Sequence, residues 1–446
     1  MTKDMSLNDS QPASGDVAEY DLVIAGAGLA GLSLAYALRQ VLPWRIALVE
    51  SQPEKSSLQT INATAQYDER VLALSAMTVR ILKALDIWPA LAEQGYPICK
   101  IHVSDEGNYG KVRLDADQQG VAADSHADNQ HDQPSVGPAS FGPPSFGQVM
   151  AARILGQVLA DKAAELDVDW FRPDEIVATQ VHSTSRQLTL KSGAILNTKL
   201  LVVADGSDSA TSKLLGVQAE VHDYHHVAVI ANITTDVEHQ GLAVERFTSN
   251  GPLALLPMTD NRRSLVWTLP PERAEQVMAL RNDEFSVELQ QAMGYRNGLI
   301  EQVGSRQSYP LKRRLVTRAA LPRAVVIGNA AHALHPIAGQ GFNLALRDVM
   351  ELAMQLNQQG VAADIGVPSS VQAYQQQRDG DQYGVANATH ALALLFSNSI
   401  TPLKWARNLG LVAMSHLPSA QQLLVDKAMG VSALSQVVED WSKAKG

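Results

Sequence analysis

Two glycine-rich turns, about 300 residues apart, carry the residues best suited to chemistry in this 446-residue chain. The first is Gly26-Ala27-Gly28-Leu29-Ala30-Gly31. The second lies in the run from His335 to Asp348, His-Pro-Ile-Ala-Gly-Gln-Gly-Phe-Asn-Leu-Ala-Leu-Arg-Asp. A Gly-x-Gly-x-x-Gly turn between a strand and a helix lets the backbone approach a pyrophosphate. The first N–H groups of the helix and its partial positive charge then face the phosphates. Two such turns so far apart predict that distant segments close on one dinucleotide, and the second points to a flavin rather than a nicotinamide. Glu50, about 20 positions after the first loop, is placed to accept hydrogen bonds from a ribose diol. In the second turn Pro336 stiffens the path, and Gly339 and Gly341 permit an unusual one. A helix beginning near Phe342 would aim its free N–H groups at N1 and the C2 carbonyl of a flavin ring, where negative charge collects on reduction.

The segments around these turns have the texture needed to hold them. Residues 21–25 are a short apolar run suited to a buried parallel strand, and 29–42 repeat apolar side chains at helical spacing. A second strand, 45–49, ends at Glu50. Arg70, taken alone, is a surface charge ahead of a helix over 71–85; another helix is expected over 151–166, with Arg153 in its first turns. Residues 200–204 form a buried strand that runs into Asp205-Gly206. That corner is either a plain strand-turn-helix junction or a turn whose carboxylate and backbone serve a nucleotide. Residues 324–327 return to the parallel-strand texture before Gly328-Asn329.

Between these parts the pattern changes. The runs 227–233, 243–248, 253–258 and 264–269 are β-like and separated by turn residues, which suggests an antiparallel sheet forming a substrate roof over the flavin. Arg246 and Trp267 are candidates to line it, against a purely structural role for each. His332 and His335 lack a third ligand and a carboxylate at useful spacing, so no metal site is expected. No side-chain base can be named from the sequence. Residues 352–446 read as helical; the apolar stretches 392–396 and 405–414 would pack on the body or touch a lipid surface.

Composition bounds the class. Apolar residues make up 46% of the chain, enough for a large core and two interwoven lobes. A net charge of -10 gives no basic surface for nucleic acid. One cysteine, Cys99, permits neither a disulfide nor a thiolate cluster, so a cytoplasmic home is expected. Residues 1–19 read as a polar, disordered leader, and 115–147, rich in Asp, Gln, Ser, Pro and Gly, as a flexible insertion. The expected division is a discontinuous dinucleotide-binding domain over 20–114, 148–220 and 318–360, a β-rich substrate domain over 221–317, and a helical region over 361–446.

On the residues quoted so far, the chain resembles the aromatic-ring flavoprotein monooxygenases, and within them the ubiquinone-biosynthesis hydroxylases, over nearly all of residues 20–430. The His335 to Asp348 run is similar to that subfamily's signature. Gly328-Asn-Ala-Ala, Leu334-His-Pro-Ile, Glu245-Arg-Phe-Thr248 and Ser264-Leu-Val-Trp267 are most similar to members acting on 2-polyprenyl-6-methoxyphenol. The resemblance implies an α/β fold: a Rossmann-like FAD-binding domain of the glutathione-reductase type, interleaved with an antiparallel-sheet substrate domain and followed by helices. It implies that Gly26, Ala27, Gly28, Ala30, Gly31 and Glu50 hold the ADP half of FAD, that Arg70 and Arg153 contact the cofactor, and that Asp205 and Gly206 serve FAD and NAD(P)H. Gly328 and Asn329, with Pro336, Gly339, Gln340, Gly341, Phe342 and Asn343, would border the ribityl chain and isoalloxazine ring.

The implied reaction spends NADH or NADPH and O2 to hydroxylate the phenol para to its hydroxyl. A sister enzyme acting at another ring position, and a non-catalytic flavoprotein subunit of a biosynthetic assembly, are the alternatives. A polyprenyl substrate implies an apolar channel, peripheral contact with the inner membrane, and association with other ubiquinone-biosynthesis proteins. Three residues depart from the family pattern: Asn329 replaces an Asp, Ser212 stands where an Arg often closes the Asp-Gly motif, and Ala345 replaces a Gly.

Overall fold

The computed structural model describes residues 17–53, 70–119, 121, 143–335, 339–397, 401–430 and 434–445. Its centre is a parallel sheet in which Ala324–Val326, Ile195–Val203, Ala18–Ala25, Ile46–Val49 and Asp169–Phe171 lie side by side in that order. These strands are nearly continuous apolar runs because both faces are covered. Leu22 and Ile24 face the helices Leu29–Val41, Ala152–Ala164 and Gln340–Gln359; Val23 and Ala25 face the other way, toward a smaller core that includes Leu188 and Leu196. The first strand starts at Ala18, so Ala18 and Glu19 belong to the sheet rather than to a leader; residues 1–16 lie outside those described.

A second sheet of nine strands stands beside the first. Its order runs His332–Ala333, Gln307–Val316, Ala219–Thr235, Arg262–Leu269, Gly251–Pro257, Leu242–Thr248, Lys100–Asp105, Lys111–Asp115, with Ile300–Val303 also paired to Ala219–Thr235. The antiparallel strands expected between 227 and 269 are therefore present, in a wider sheet. Strands 100–105 and 111–115, expected in the dinucleotide-binding part, extend its edge, and Leu242–Thr248 pairs with Lys100–Asp105 in parallel. One face packs Val229, Leu253, Leu265 and Trp267 against the helices Pro271–Ala279 and Asn282–Met293. The opposite face looks toward the parallel-sheet half.

Residues 71–85 correct a further expectation. The segment opens as a strand, Val71–Ser75, paired with Gly147–Ala151, and only then becomes the helix Ala76–Ala84, capped by the Ser75 hydroxyl. Long-range pairing outweighs the local helical pattern. Most of the expected insertion, 122–142 above all, lies outside the described residues, while its ends, Asp115 and Gly147, are strand residues. The C-terminal part is helical as expected: Pro368–Ser397, Thr401–His416, Pro418–Met429 and Leu434–Lys445. The last anchors itself with Trp441, fully buried in the main core. No helix among the described residues is long and apolar enough to cross a membrane.

Candidate functional site

Two helix N-termini open into one cavity between the sheets. Leu29–Val41 begins after Gly28 and Gln340–Gln359 after Gly339; neither start has a side-chain cap or an acidic residue in its first turn. The uncapped N–H groups and the positive ends of both dipoles are thus left for a ligand. Gly31 cannot carry a side chain, since a Cβ there would lie 1.9 Å from the Gly26 carbonyl oxygen, so this glycine sets how closely helix and loop approach. Gly339 has φ 60°, in the left-handed region, and a Cβ there would sit 2.9 Å from the Ala73 Cβ. At Gly28 and Gly341, by contrast, a Cβ would meet nothing within 4 Å, because both backbones border open cavity.

The cavity has a volume of about 1560 Å³. That exceeds the roughly 300–1,000 Å³ of a pocket for one drug-sized molecule and leaves room for a dinucleotide together with a second ligand. Gly26, Gly28, Ala30, Glu50, Arg70, Asp205, Gly206, Asn329, Gly339, Gln340, Gly341, Phe342 and Asn343 all line it. Segments expected from sequence to meet at one cofactor are therefore brought together. Ala27, Gly31 and Gly328 stand just behind the wall. Ala27 N donates to Glu50 Oε2 at 2.8 Å, which fixes the carboxylate at the tip of its strand. Gly328 N donates to Asp348 Oδ2 at 3.0 Å. Arg153 is exposed on the first turn of its helix, beside the cavity-lining Ala152. Pro336 lies outside the described residues.

The residues present fit FAD. Asp205 Oδ2 accepts from Thr211 N at 3.0 Å, while Oδ1 is buried with no partner, an acceptor waiting for a donor such as a sugar hydroxyl. The first uncapped helix end suits a pyrophosphate and the second suits the electron-rich edge of a reduced flavin ring. Asn343 takes a different part from the one expected of it. Its Oδ1 accepts from Ser75 N at 3.0 Å and from the Thr78 hydroxyl at 2.7 Å, and its Nδ2 donates to the carbonyls of Ala73 at 2.9 Å and Gly339 at 3.1 Å. It ties the second glycine turn to Val71–Ser75 instead of addressing a ligand.

Both substrate-lining candidates are corrected by strand alternation. Trp267 is 3% exposed and packs edge-on against Phe285 on the sheet's helix-covered face. Arg246 has the same orientation as Val244 on its strand, and its guanidinium lies 3.8 Å from Glu106. The neighbour of Arg246, Glu245, is the one that lines the cavity, with Ala243 and Phe247. Only the period-2 rule applied with the correct register could have chosen between them.

Away from the glycine turns the cavity becomes apolar. Ile101, Val103, Val112 and Leu114 come from the edge strands, and Leu411, Met414 and Leu424 from the C-terminal helices. At the junction, His335 is 4% exposed with its ring edge-on to Tyr224 at 4.9 Å; burial, aided by His226, lowers its imidazole to about 4. His332, the other histidine of that turn, points instead at Asp348, with Nε2 2.6 Å from Oδ2.

Residues 19–380 match the protein family described as FAD binding domain. The chain is 30% identical over 416 residues to the ubiquinone hydroxylase UbiL of Rhodospirillum rubrum, covering 93% of this chain and 90% of that protein. It is 26% identical over 414 residues to the 3-demethoxyubiquinol 3-hydroxylase of Escherichia coli, covering 92% and 98%. Among solved structures, p-nitrophenol 4-monooxygenase PnpA from Pseudomonas putida DLL-E4 superposes with a TM-score of 0.70 over 94% of this chain and all of that one, at 14% identity, a likeness of fold. On these matches the chain belongs to the FAD binding domain family and is an FAD-dependent aromatic monooxygenase using NAD(P)H.

Proposed function

We propose that this monooxygenase hydroxylates 2-polyprenyl-6-methoxyphenol at the carbon para to its hydroxyl, giving the 1,4-benzoquinol of ubiquinone biosynthesis. The observation that carries the reading is the lining of the cavity, which is polar in the cradle for the dinucleotide and apolar in the part, its arm, walled by Val103, Leu114, Leu411 and Met414. A small polar phenol has no use for such an arm; a prenyl tail gains about 0.8 kcal/mol for each methylene it buries there. FAD, when bound, would supply the redox chemistry between NAD(P)H and O2, while the chain's own residues bind, orient and keep the site dry. In this reading Glu50 holds the adenosine ribose, the N–H groups after Gly28 hold the pyrophosphate, and Arg70, Asp205 and Asn329 complete the cradle. The turn from Gly339 to Phe342 borders the ring.

A tail drawn from a bilayer also calls for peripheral contact with a membrane or with other enzymes of the pathway. Co-sedimentation with liposomes of anionic and zwitterionic lipid tests the first, and co-purification the second.

The relative from Escherichia coli is named for a different ring position, so a sister step is the competing reading. Purified holoenzyme supplied with NAD(P)H, O2 and either a prenylated 2-methoxyphenol or a demethoxyquinol separates the two. Product mass spectra showing oxygen added para to the phenol hydroxyl support the proposal. Turnover of the demethoxyquinol alone would replace it with the sister step.

A further inference from the structure

Among the described residues, the cavity face of the second sheet holds one carboxylate, with apolar neighbours beside it. Glu245 lies in the middle of Leu242–Thr248, in register with Val103 on one flanking strand and Ala254 on the other, with Val266 one strand further. Ala243 and Phe247 flank it along its own strand, and the C-terminal helices close the same space with Leu411 and Met414. Among the described residues, none donates a hydrogen bond to it or forms an ion pair with it. Asp105, in register with Phe247, is turned to Asn108 Nδ2 at 2.9 Å. Of the charged groups further along the wall, Arg347 is paired with Asp381 at 2.7 Å, and Asp426 and Lys427 belong to Pro418–Met429.

A half-buried carboxylate that faces a ligand cavity with no donor of its own needs one from the ligand. We propose that Glu245 is the catalytic base that takes the proton from the hydroxyl of the phenol substrate. The inference rests on the substrate being a phenol, not on its substituents. The phenol O–H bond breaks, the proton passes to a Glu245 carboxylate oxygen, and the electron pair stays on the phenol oxygen. From there it is shared onto the para carbon, the one that accepts oxygen. Once oxygen is in place, that carbon gives up its hydrogen to water as a proton and the ring regains aromaticity. The phenol oxygen then takes back the proton held by Glu245, so the residue ends as it began.

The acidity suits the task. Burial alone raises the Glu245 carboxyl to about 7. Such a group is ionised at mildly alkaline pH yet much more basic than an ordinary carboxylate, which places it near the optimum for general base catalysis.

The test uses holoenzyme, NAD(P)H, O2 and a geranylated 2-methoxyphenol, with the variants Glu245→Gln and Glu245→Asp. Wild-type kcat/KM should rise with pH through about 7 and then level. Glu245→Gln should hydroxylate about 100-fold more slowly at about pH 8, without that rise. Its FAD absorbance and its rate of FAD reduction by NAD(P)H should match wild type. Glu245→Asp should keep the rise, and a ring-fluorinated phenol already ionised in solution should restore most of the rate to Glu245→Gln. A Glu245→Gln enzyme that keeps both the rise and the rate overturns the base. So does one whose FAD reduction falls with hydroxylation and which the acidic phenol fails to rescue. Wild type inert toward every phenol overturns the functional reading, and the base with it.

Discussion

His332 Nε2 and Asp348 Oδ2 meet at 2.6 Å with neither side chain exposed. The same carboxylate accepts from Gly328 N at 3.0 Å, Arg378 Nε at 2.9 Å and Gln382 Nε2 at 2.8 Å, so its four bonds join the turn before Asn329 to the helix Pro368–Ser397. Burial pushes the Asp348 carboxyl up, but His332 and Arg378 outweigh it and hold the group well below the usual carboxylate range. Its stabilising effect is therefore present above the ordinary carboxyl pKa and is lost only as pH falls through the lower folded value. Asp348→Ala leaves buried Arg378 with Asp381 as its remaining anion and strips Gly328 N and Gln382 of their acceptor, and should cost about 3–5 kcal/mol in urea unfolding. Asp348→Asn, which turns an N–H2 toward donors, should cost about 1–3 kcal/mol and weaken FAD retention on gel filtration. Unchanged unfolding and FAD content in both variants would refute the linkage.

Gly339→Ala tests the second glycine turn. The left-handed φ costs an alanine about 1–2 kcal/mol, and its methyl would press on the Ala73 Cβ 2.9 Å away. The N-terminus of Gln340–Gln359 must shift, so FAD should dissociate more readily while the secondary structure seen by circular dichroism is kept. Fluorescence titration of apoprotein with FAD measures this. An affinity equal to wild type would mean that the turn does not address the cofactor.

His335 should make the protein acid-sensitive. Its folded value of about 4 lies below the roughly 6.5 of an unfolded histidine, so the unfolded chain binds a proton as pH falls through that interval and the folded protein does not. Stability is thus full above about pH 6.5 and falls toward pH 4, by about 3 kcal/mol from this residue. His335→Gln holoenzyme should show a flatter dependence of its urea midpoint over that range than wild type. Parallel curves would exclude His335 as the cause.

The parts legible in the sequence are those whose physics is local. The strand, turn and helix at 18–41, Glu50 at a strand end, and the glycines before Gln340–Gln359 each follow from a few neighbouring residues. What the sequence concealed depends on partners far away. Val71–Ser75 is a strand because Gly147–Ala151 lies beside it, and Asn343 bonds to Ser75 across 268 positions. Asp348 and Arg378 sit on separate helices, 30 positions apart, in no recognisable spacing. Leu242–Thr248 carries large side chains on both faces, so its alternation alone could not say whether Glu245 or Arg246 meets the cavity.

The two sides of that sheet should respond oppositely to mutation. Trp267 fills the core against Phe285, away from any ligand, so Trp267→Ala should cost about 3–5 kcal/mol while leaving KM for the phenol within about twofold. Leu424, on the helix Pro418–Met429, borders the apolar arm away from Glu245's own strand neighbours. Leu424→Trp fills space that is otherwise empty, so stability and FAD content should hold. KM should rise with prenyl length, about tenfold for a long tail and little for a short one, as tail burial in the arm is lost. Steady-state kinetics with one-, two- and several-unit prenyl chains separates this from a general defect. A KM that rises equally for all chain lengths would place the tail elsewhere, because a blocked arm penalises only the part of the substrate that has to enter it.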